Sequence, residues 1–163
     1  MKAFRVGQGF DVHRFADPED GRPLRLMGCT VPHDRGLAGH SDADVMLHAL
    51  MDALLGAAGL GDIGRHFPDT DPALQGIAST LLLQRVMDEL RSRGWRVVNA
   101  DVGLVGERPR IAAHAVAMQA RVAPLLGIDP EALNVKATTT EKLGFTGRGE
   151  GLAAQAVVLI QRD

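Results

Sequence analysis

Apolar residues beyond position 46 recur at helical spacing. At about 100° per residue, Leu47, Leu50, Met51, Leu54 and Ala58 share one face. Asp44, His48 and Asp52, four apart, form a polar rail along its flank, which puts His48 at an edge of the core. Ser41 and Asp44 have the S-x-x-[DE] form of a capping box, so this helix is expected to begin near Asp42. Leu81, Leu82, Val86 and Leu90 predict a second helix from Ala78 to Arg93, stopped by Gly94. A third is expected to open at Pro109 and run to about Leu126.

Strand patterns surround these helices. AFRVGQGFDVHRF, Ala3 to Phe15, predicts a strand bent or closely approached at Gly7 and Gly9, with Asp11 and His13 on one face and Phe10 and Val12 on the other. After the turn ADPEDGRP, LRLMGCTVP reads as a short strand expected to close a hairpin with the first, and HDRGLAGH as a loop into the first helix. Glycines, prolines and acids from Gly56 to Gly76 predict a long loop, of a length usually either functional or disordered. WRVVNADVGLVGE and LNVKATTT are further strands, and the nearly unbroken apolar run GLAAQAVVLIQ reads as a central one. The expected fold class is α+β: a single domain, 1–163, with a mixed β-sheet and helices packed on one face.

Composition narrows the function. A chain of 163 residues that is 45% hydrophobic can bury a core. A formal charge of −2 with acids and bases interspersed provides no basic field for nucleic acid or an anionic membrane surface. One cysteine, Cys29, leaves no internal disulfide and no cysteine-based zinc finger. No apolar run approaches a membrane span, and the start of the chain turns polar too early for a signal peptide, so the expected location is cytoplasmic.

Four groups of residues could carry chemistry. Asp11 and His13 on one strand face, with His48 on a helix, offer one oxygen and two nitrogens, a set that suits tetrahedral Zn²⁺ with its fourth position open. The same spacing also suits a turn cap and two ordinary hydrogen-bonded histidines, and spacing alone favours that plainer reading. TTTEKLGFTGRGEG, Thr138 to Gly151, has the glycines and hydroxyls of an anion cradle without the P-loop spacing, and Glu141 offers a hard oxygen ligand for Mg²⁺. It reads equally as a glycine-rich turn between strands. FPDTDP, with Asp69 and Asp71, is by itself a double turn. Arg108, Arg110 and His114 surround an expected helix start that would attract anions, or form a basic rim on a surface helix.

Taken together, GFDVH, HSDADVMLHALMDALLGAAGLGDIG, FPDTDP and NVKATTTEKLGFTGRGEG closely resemble the 2-C-methyl-D-erythritol 2,4-cyclodiphosphate synthases of non-mevalonate isoprenoid biosynthesis, almost end to end. The resemblance implies a homotrimeric phosphorus–oxygen lyase that converts 4-diphosphocytidyl-2-C-methyl-D-erythritol 2-phosphate to the cyclic diphosphate and CMP, with active sites between subunits. It implies Asp11, His13 and His48 as zinc ligands and Glu141 as the ligand of a Mg²⁺ or Mn²⁺. His40 and Thr139 match transition-state stabilisers, and Ser41 matches a phosphate contact; Asp11, Val12 and His13 also fall among the substrate contacts. Asp62, Ile63 and Gly64 match the methylerythritol segment, and Phe67, Pro68, Asp69, Thr70 and Asp71 a further substrate-binding stretch. Gly106, Glu107, Arg108, Pro109, Arg110, Ile111 and Ala112, with Thr138, Thr139, Thr140 and Glu141, match the cytidine pocket. Phe145 and Arg148 match residues near a central cavity, where an isoprenoid diphosphate is a candidate ligand. Two positions depart from the family pattern: Ala43 stands where glycine is frequent, which matters only if φ is positive there, and Arg110 where lysine is common. The alternatives left by the residues are a zinc phosphohydrolase and a non-catalytic trimeric carrier of an isoprenoid diphosphate.

Overall fold

The computed structural model describes residues 3–163. Its strands are β1 (Ala3–Arg14), β2 (Leu24–Leu26), β3 (Cys29–Val31), β4 (Arg96–Val105), β5 (Leu133–Thr138) and β6 (Gly151–Arg162). Its α-helices are α1 (Val45–Ala58), α2 (Ile63–His66), α3 (Ser79–Ser92), α4 (Ala115–Leu126) and α5 (Gly144–Gly147). Four strands form the main sheet in the order β1-β6-β4-β5, and β6 is central as its apolar run predicts. β6 runs antiparallel to both β1 and β4, whereas β4 and β5 are parallel and joined through α4. The sheet is therefore mixed.

The expected hairpin between the first two strands does not form. β1 pairs along its whole length with β6, a partner of equal length, whereas LRLMGCTVP folds back on itself as β2 and β3. The reason is local: Met27 (φ 50°) and Gly28 (φ 71°) both take the left-handed backbone of a two-residue hairpin turn.

The helices cover one face of the sheet. α1 lies across β1 and β6, α3 packs on α1, and α4 packs on α3 and β5. Apart from Asp52 and Gly56, every residue of α1 is buried, so the helix is a central core element rather than an amphipathic surface one. Its contact with β1 explains Gly7 and Gly9: a Cβ at either would run into the carbonyl oxygen of Ala53 or Ala49. On the opposite face of the sheet Phe4, Val6, Phe10, Val12 and Val157 are exposed.

Three helix boundaries differ from the sequence reading. α1 starts at Val45, not near Asp42, because Ala43 sits at φ 58°, a left-handed conformation that a right-handed helix cannot include. Asp44 itself is the N-cap and accepts from Leu47 N, while Ser41 Oγ accepts from Ala43 N, so the two do not form a capping box. The segment expected to be one long loop is only partly irregular: α1 continues to Ala58, and α2 and a 3-10 turn at Pro72–Leu74 follow. Asp62 and Asp71 cap those two short turns, accepting from Arg65 N and Ala73 N, and Asp52 accepts from Ile63 N. Pro109 does not open a helix; the chain makes a 3-10 turn at Ala112–His114 and α4 begins at Ala115.

Candidate metal centre and adjoining clefts

The close approach of β1 to α1 has a chemical consequence. Gly7, Gly9, Asp11 and His13 alternate onto one face of β1, so the glycines that admit α1 also aim Asp11 and His13 at it. His48, in the first turn of α1, meets them there. His13 Nε2 lies 3.0 Å from Asp11 Oδ2 and 3.1 Å from His48 Nδ1, and the third side of the triangle, His48 Nδ1 to Asp11 Oδ2, is 3.2 Å. A tetrahedral zinc with arms of about 2.0–2.1 Å holds its ligand atoms about 3.3–3.4 Å apart. The spacing fits such an ion.

The protonation pattern fits as well. His13 Nδ1 lies 2.7 Å from the Ala38 carbonyl and can only donate there, which leaves Nε2 bare toward Asp11. His48 Nε2 lies 3.2 Å from Ser41 Oγ and 3.1 Å from Ser79 Oγ, leaving Nδ1 as the inward atom. Three lone pairs then converge, and Asp11 Oδ2, although buried and close to both nitrogens, has no hydrogen directed at it. A buried carboxylate oxygen without a donor is costly, and a cation supplies what it lacks.

Titration describes the other way to fill the site. Burial alone would raise the Asp11 carboxyl, but the two imidazoles beside it outweigh that and hold it well below the usual carboxylate range. Burial alone would lower His13, yet Asp11 and the Ala38 carbonyl push it upward. Those shifts belong to the protonated pair, in which an imidazole N–H points at Asp11, whereas the bare-nitrogen arrangement is the one ready for metal.

The triad opens into a cleft of about 520 Å³ that also contains His40, Ser41, Ile63, Gly64 and the run Phe67, Pro68, Asp69 and Thr70. His40 Nε2–H donates to the Asp71 carbonyl at 2.8 Å, tying the segment before α1 to this loop. A larger cleft of about 940 Å³ lies at the ends of β4 and β5, lined by Gly106, Glu107, Arg108, Pro109, Arg110, Ile111, Ala112, Thr138 and Thr139. The two clefts have no lining residue in common. The triad, the one group of three His, Cys, Asp or Glu side chains placed to hold a metal ion among the described residues, lines the smaller of the two clefts.

Several expected site residues lie in neither cleft. Val12 faces the opposite side of the sheet, and Asp62 and Asp71 use their carboxylates as local caps. Thr140 Oγ1 lies 2.8 Å from Thr146 Oγ1, inside the turn after β5. Glu141 sits on that turn at φ 53° and accepts from no residue of the triad; its carboxylate Oε1 lies 3.4 Å from Thr139 Oγ1. Arg148 lines a third cleft of about 440 Å³ with Arg35 and Arg108, and Phe145 is 38% exposed outside it. Sequence reasoning missed Ser79 and Asp42; Ser79 opens an apolar helical run, a position that reads as a helix start and nothing more.

Fold and site together define an α+β protein with a three-ligand metal-type centre opening into a ligand cleft. The chain belongs to the YgbB family, whose model matches residues 4–161, and that is the family of 2-C-methyl-D-erythritol 2,4-cyclodiphosphate synthases. It is 58% identical over 159 residues to the 2-C-methyl-D-erythritol 2,4-cyclodiphosphate synthase of Alkalilimnicola ehrlichii, covering 98% of this chain and 96% of that relative. Its structure resembles the bifunctional IspDF of Campylobacter jejuni with a TM-score of 0.94 and 43% identity, covering 100% of this chain and 43% of that longer one. It also resembles the CDP complex of Plasmodium falciparum IspF, with a TM-score of 0.85 and 27% identity over 99% of this chain and 97% of that one. No helix among the described residues is long and apolar enough to cross a membrane.

Proposed function

We propose that this protein converts 4-diphosphocytidyl-2-C-methyl-D-erythritol 2-phosphate to 2-C-methyl-D-erythritol 2,4-cyclodiphosphate with release of CMP, in the cytoplasm. The observation that carries the proposal is the triangle of Asp11, His13 and His48, with its donorless carboxylate oxygen, at the mouth of a cleft containing His40 and Ser41. A zinc ion held by the triad, and a Mg²⁺ or Mn²⁺ held by Glu141, would supply positive charge that orients and polarises the phosphates.

The remaining work falls to the chain. The substrate's 2-phosphate attacks the β-phosphorus of the same molecule and CMP leaves, so no protein nucleophile is needed. The protein has to fold a flexible polyanion back on itself, and holding reacting groups together contributes on the order of 7–11 kcal/mol in well-oriented cases. Ser41, at the entry to α1, presents a hydroxyl donor to the phosphate end, and His40, by its bond to the Asp71 carbonyl, fixes the segment before α1 against the substrate loop. Ile63, Gly64 and Phe67 to Thr70 would enclose the methylerythritol part, with Asp62 and Asp71 at the ends of those segments. Thr138, Thr139 and Gly106 to Ala112 would hold the cytidine part; the CDP complex of a relative supports a nucleotide ligand of this class.

The division of these residues between two separate clefts supports a homotrimer in which one subunit's nucleotide cleft meets its neighbour's metal centre. So does the exposed apolar sheet face of Phe4, Val6, Phe10, Val12 and Val157, a surface that favours burial against other copies. Arg148, with Arg35 and Arg108 beside it, would then offer cationic groups to an isoprenoid diphosphate near the central axis.

The test is the product. Phosphorus NMR of purified protein with the cytidyl substrate, zinc and Mg²⁺ should show a cyclic diphosphate and CMP. A linear phosphate product would instead identify a zinc phosphohydrolase. Undiminished turnover in both Asp11→Ala and His48→Ala would refute the metal centre.

A further inference from the structure

The imidazole of His48 can present a lone pair to the triad only if its other nitrogen carries the proton, and an isolated imidazole has no strong reason to choose that tautomer. The choice is made behind the ring. Ser79, fully buried at the first residue of α3, places its Oγ 3.1 Å from His48 Nε2. That hydroxyl has one hydrogen, and it donates it to Asp42 Oδ1 at 2.5 Å. With its hydrogen committed to a carboxylate, Ser79 Oγ can only accept from the ring, so Nε2 must be the protonated atom. Asp42 is held in turn by Ser79 N at 3.1 Å and Asp44 N at 3.2 Å. These bonds fasten the start of α3 to the chain just before α1.

Ser41 differs from Ser79 in this respect. Its Oγ also approaches His48 Nε2, at 3.2 Å, but the only other partner among the described residues is Ala43 N–H, which it accepts. Its own hydrogen is not committed to a carboxylate, and Ser41 lines the cleft, whereas Ser79 does not. The two serines thus have separate tasks: Ser41 can turn its hydroxyl toward a phosphate without releasing the ring.

We propose that Asp42 and Ser79 are positioning residues, a carboxylate–hydroxyl–imidazole relay that locks His48 with Nε2 protonated and Nδ1 bare toward the metal position. Neither touches substrate or metal. The proposal rests on the metal centre proposed above, and outer partners of this kind usually change metal affinity 10- to 100-fold when removed.

The experiment uses the full-length protein stripped of metal and measures two things. Nitrogen-15 NMR of the histidine rings reports the tautomer of His48 without any metal, and competition against a chromophoric chelator reports zinc affinity. Wild type should show a single Nε2–H form. Ser79→Ala should show a mixture of tautomers and about 10- to 100-fold weaker zinc binding, with Ser79→Thr, which keeps the hydroxyl, restoring both. Asp42→Asn, in which the Ser79 hydrogen is no longer held by a charge, should fall between them, and it serves as the test if Ser79→Ala fails to fold. A single Nε2–H tautomer together with zinc affinity within twofold of wild type in both Ser79→Ala and Asp42→Asn would overturn the relay. Absence of zinc binding in the wild type would overturn the metal reading instead, and the tautomer signals would still decide the relay.

Discussion

Asp44 offers the sharpest quantitative test of how the site's scaffold is held. Its side chain has no exposure, yet it ties two elements together: Oδ1 accepts from Met27 N at 3.0 Å and Leu47 N at 3.1 Å, and Oδ2 from Gly28 N at 2.7 Å. Asp44→Ala removes all three. Loss of the cap on α1 costs about 1 kcal/mol. Leaving the Met27 and Gly28 N–H groups without an acceptor costs about 1–3 kcal/mol each, Gly28 at the lower end because it is only partly buried. Against this, burial raises the Asp44 carboxyl from an ordinary 3.8 to about 6, so the folded protein binds its proton more tightly than the unfolded chain does. The stability this group contributes by retaining its proton is complete below about pH 4 and is lost as pH rises through about 6. The penalty of Asp44→Ala should therefore be about 3 kcal/mol at pH 5 and roughly 1 kcal/mol smaller at pH 8. Urea unfolding of both proteins at the two pH values measures it. A penalty below about 0.5 kcal/mol at pH 5, or one that grows toward pH 8, would refute the account of Asp44 as a buried anchor with an elevated pKa.

Zinc has to displace the proton that Asp11 and His13 share, and His13 is raised while Asp11 is depressed, so affinity should fall about tenfold per pH unit below the raised His13 value; calorimetry in two buffers of different ionisation enthalpy should register the released proton. In the metal-free protein the same pair stabilises the fold most between about pH 4 and 6.5, losing that contribution on the acid side as Asp11 is protonated and on the alkaline side as His13 deprotonates, which melting temperatures measured through that range and beyond both its ends will show. Gly9→Ala would drive a methyl into the Ala49 carbonyl; it should destabilise by about 3 kcal/mol or more in thermal unfolding and weaken zinc binding, because the same strand carries Asp11 and His13. On the proposed homotrimer, Phe10→Glu, on the exposed face of β1, should lower the mass measured by light scattering to that of the monomer and abolish turnover while leaving the far-ultraviolet circular dichroism unchanged.

The parts of the fold that the sequence made legible are those with strong periodicity or unbroken apolar runs. β6, α3, β4 and β5 appear close to their expected limits; Gly7 and Gly9 marked β1 as bent or closely approached, and the structure shows the close approach, while the two-residue spacing predicted the shared face of Asp11 and His13. Readings that depended on one residue's backbone angle went wrong. The left-handed Ala43 moves the start of α1, and the left-handed Met27 and Gly28 turn an expected strand into a separate hairpin. Neither angle can be read from a side-chain pattern, since alanine and methionine rarely take it. The same fact shows that the departure at Ala43 matters: a residue usually supplied by glycine is here an alanine at φ 58°. Asp11, His13 and His48 were legible as a set of ligand types but not as a triangle, because their convergence depends on the distance between β1 and α1. The relay behind His48 was invisible, since Asp42 and Ser79 are 37 residues apart and meet only in the folded chain.

The triangle is costly when neither a metal nor a shared proton fills it. Each ligand is aimed by a different constraint: Asp11 by the pleat of β1, His13 by the Ala38 carbonyl, His48 by Ser79. These constraints lie in secondary structure and buried hydrogen bonds, so the fold brings three lone pairs together whether or not a cation is present. The donorless Asp11 oxygen is the energetic trace of that arrangement. It follows that metal is not needed to build this domain, whose core of buried residues draws on α1, α3, α4, β4, β5 and β6, but that it should add to its stability. At free zinc one thousand times the dissociation constant the gain is about 4 kcal/mol, and it should be confined to proteins in which all three ligands are intact. A site prepared in this way also opens to the cleft, from which the phosphate of the proposed substrate would reach an ion held by the triad.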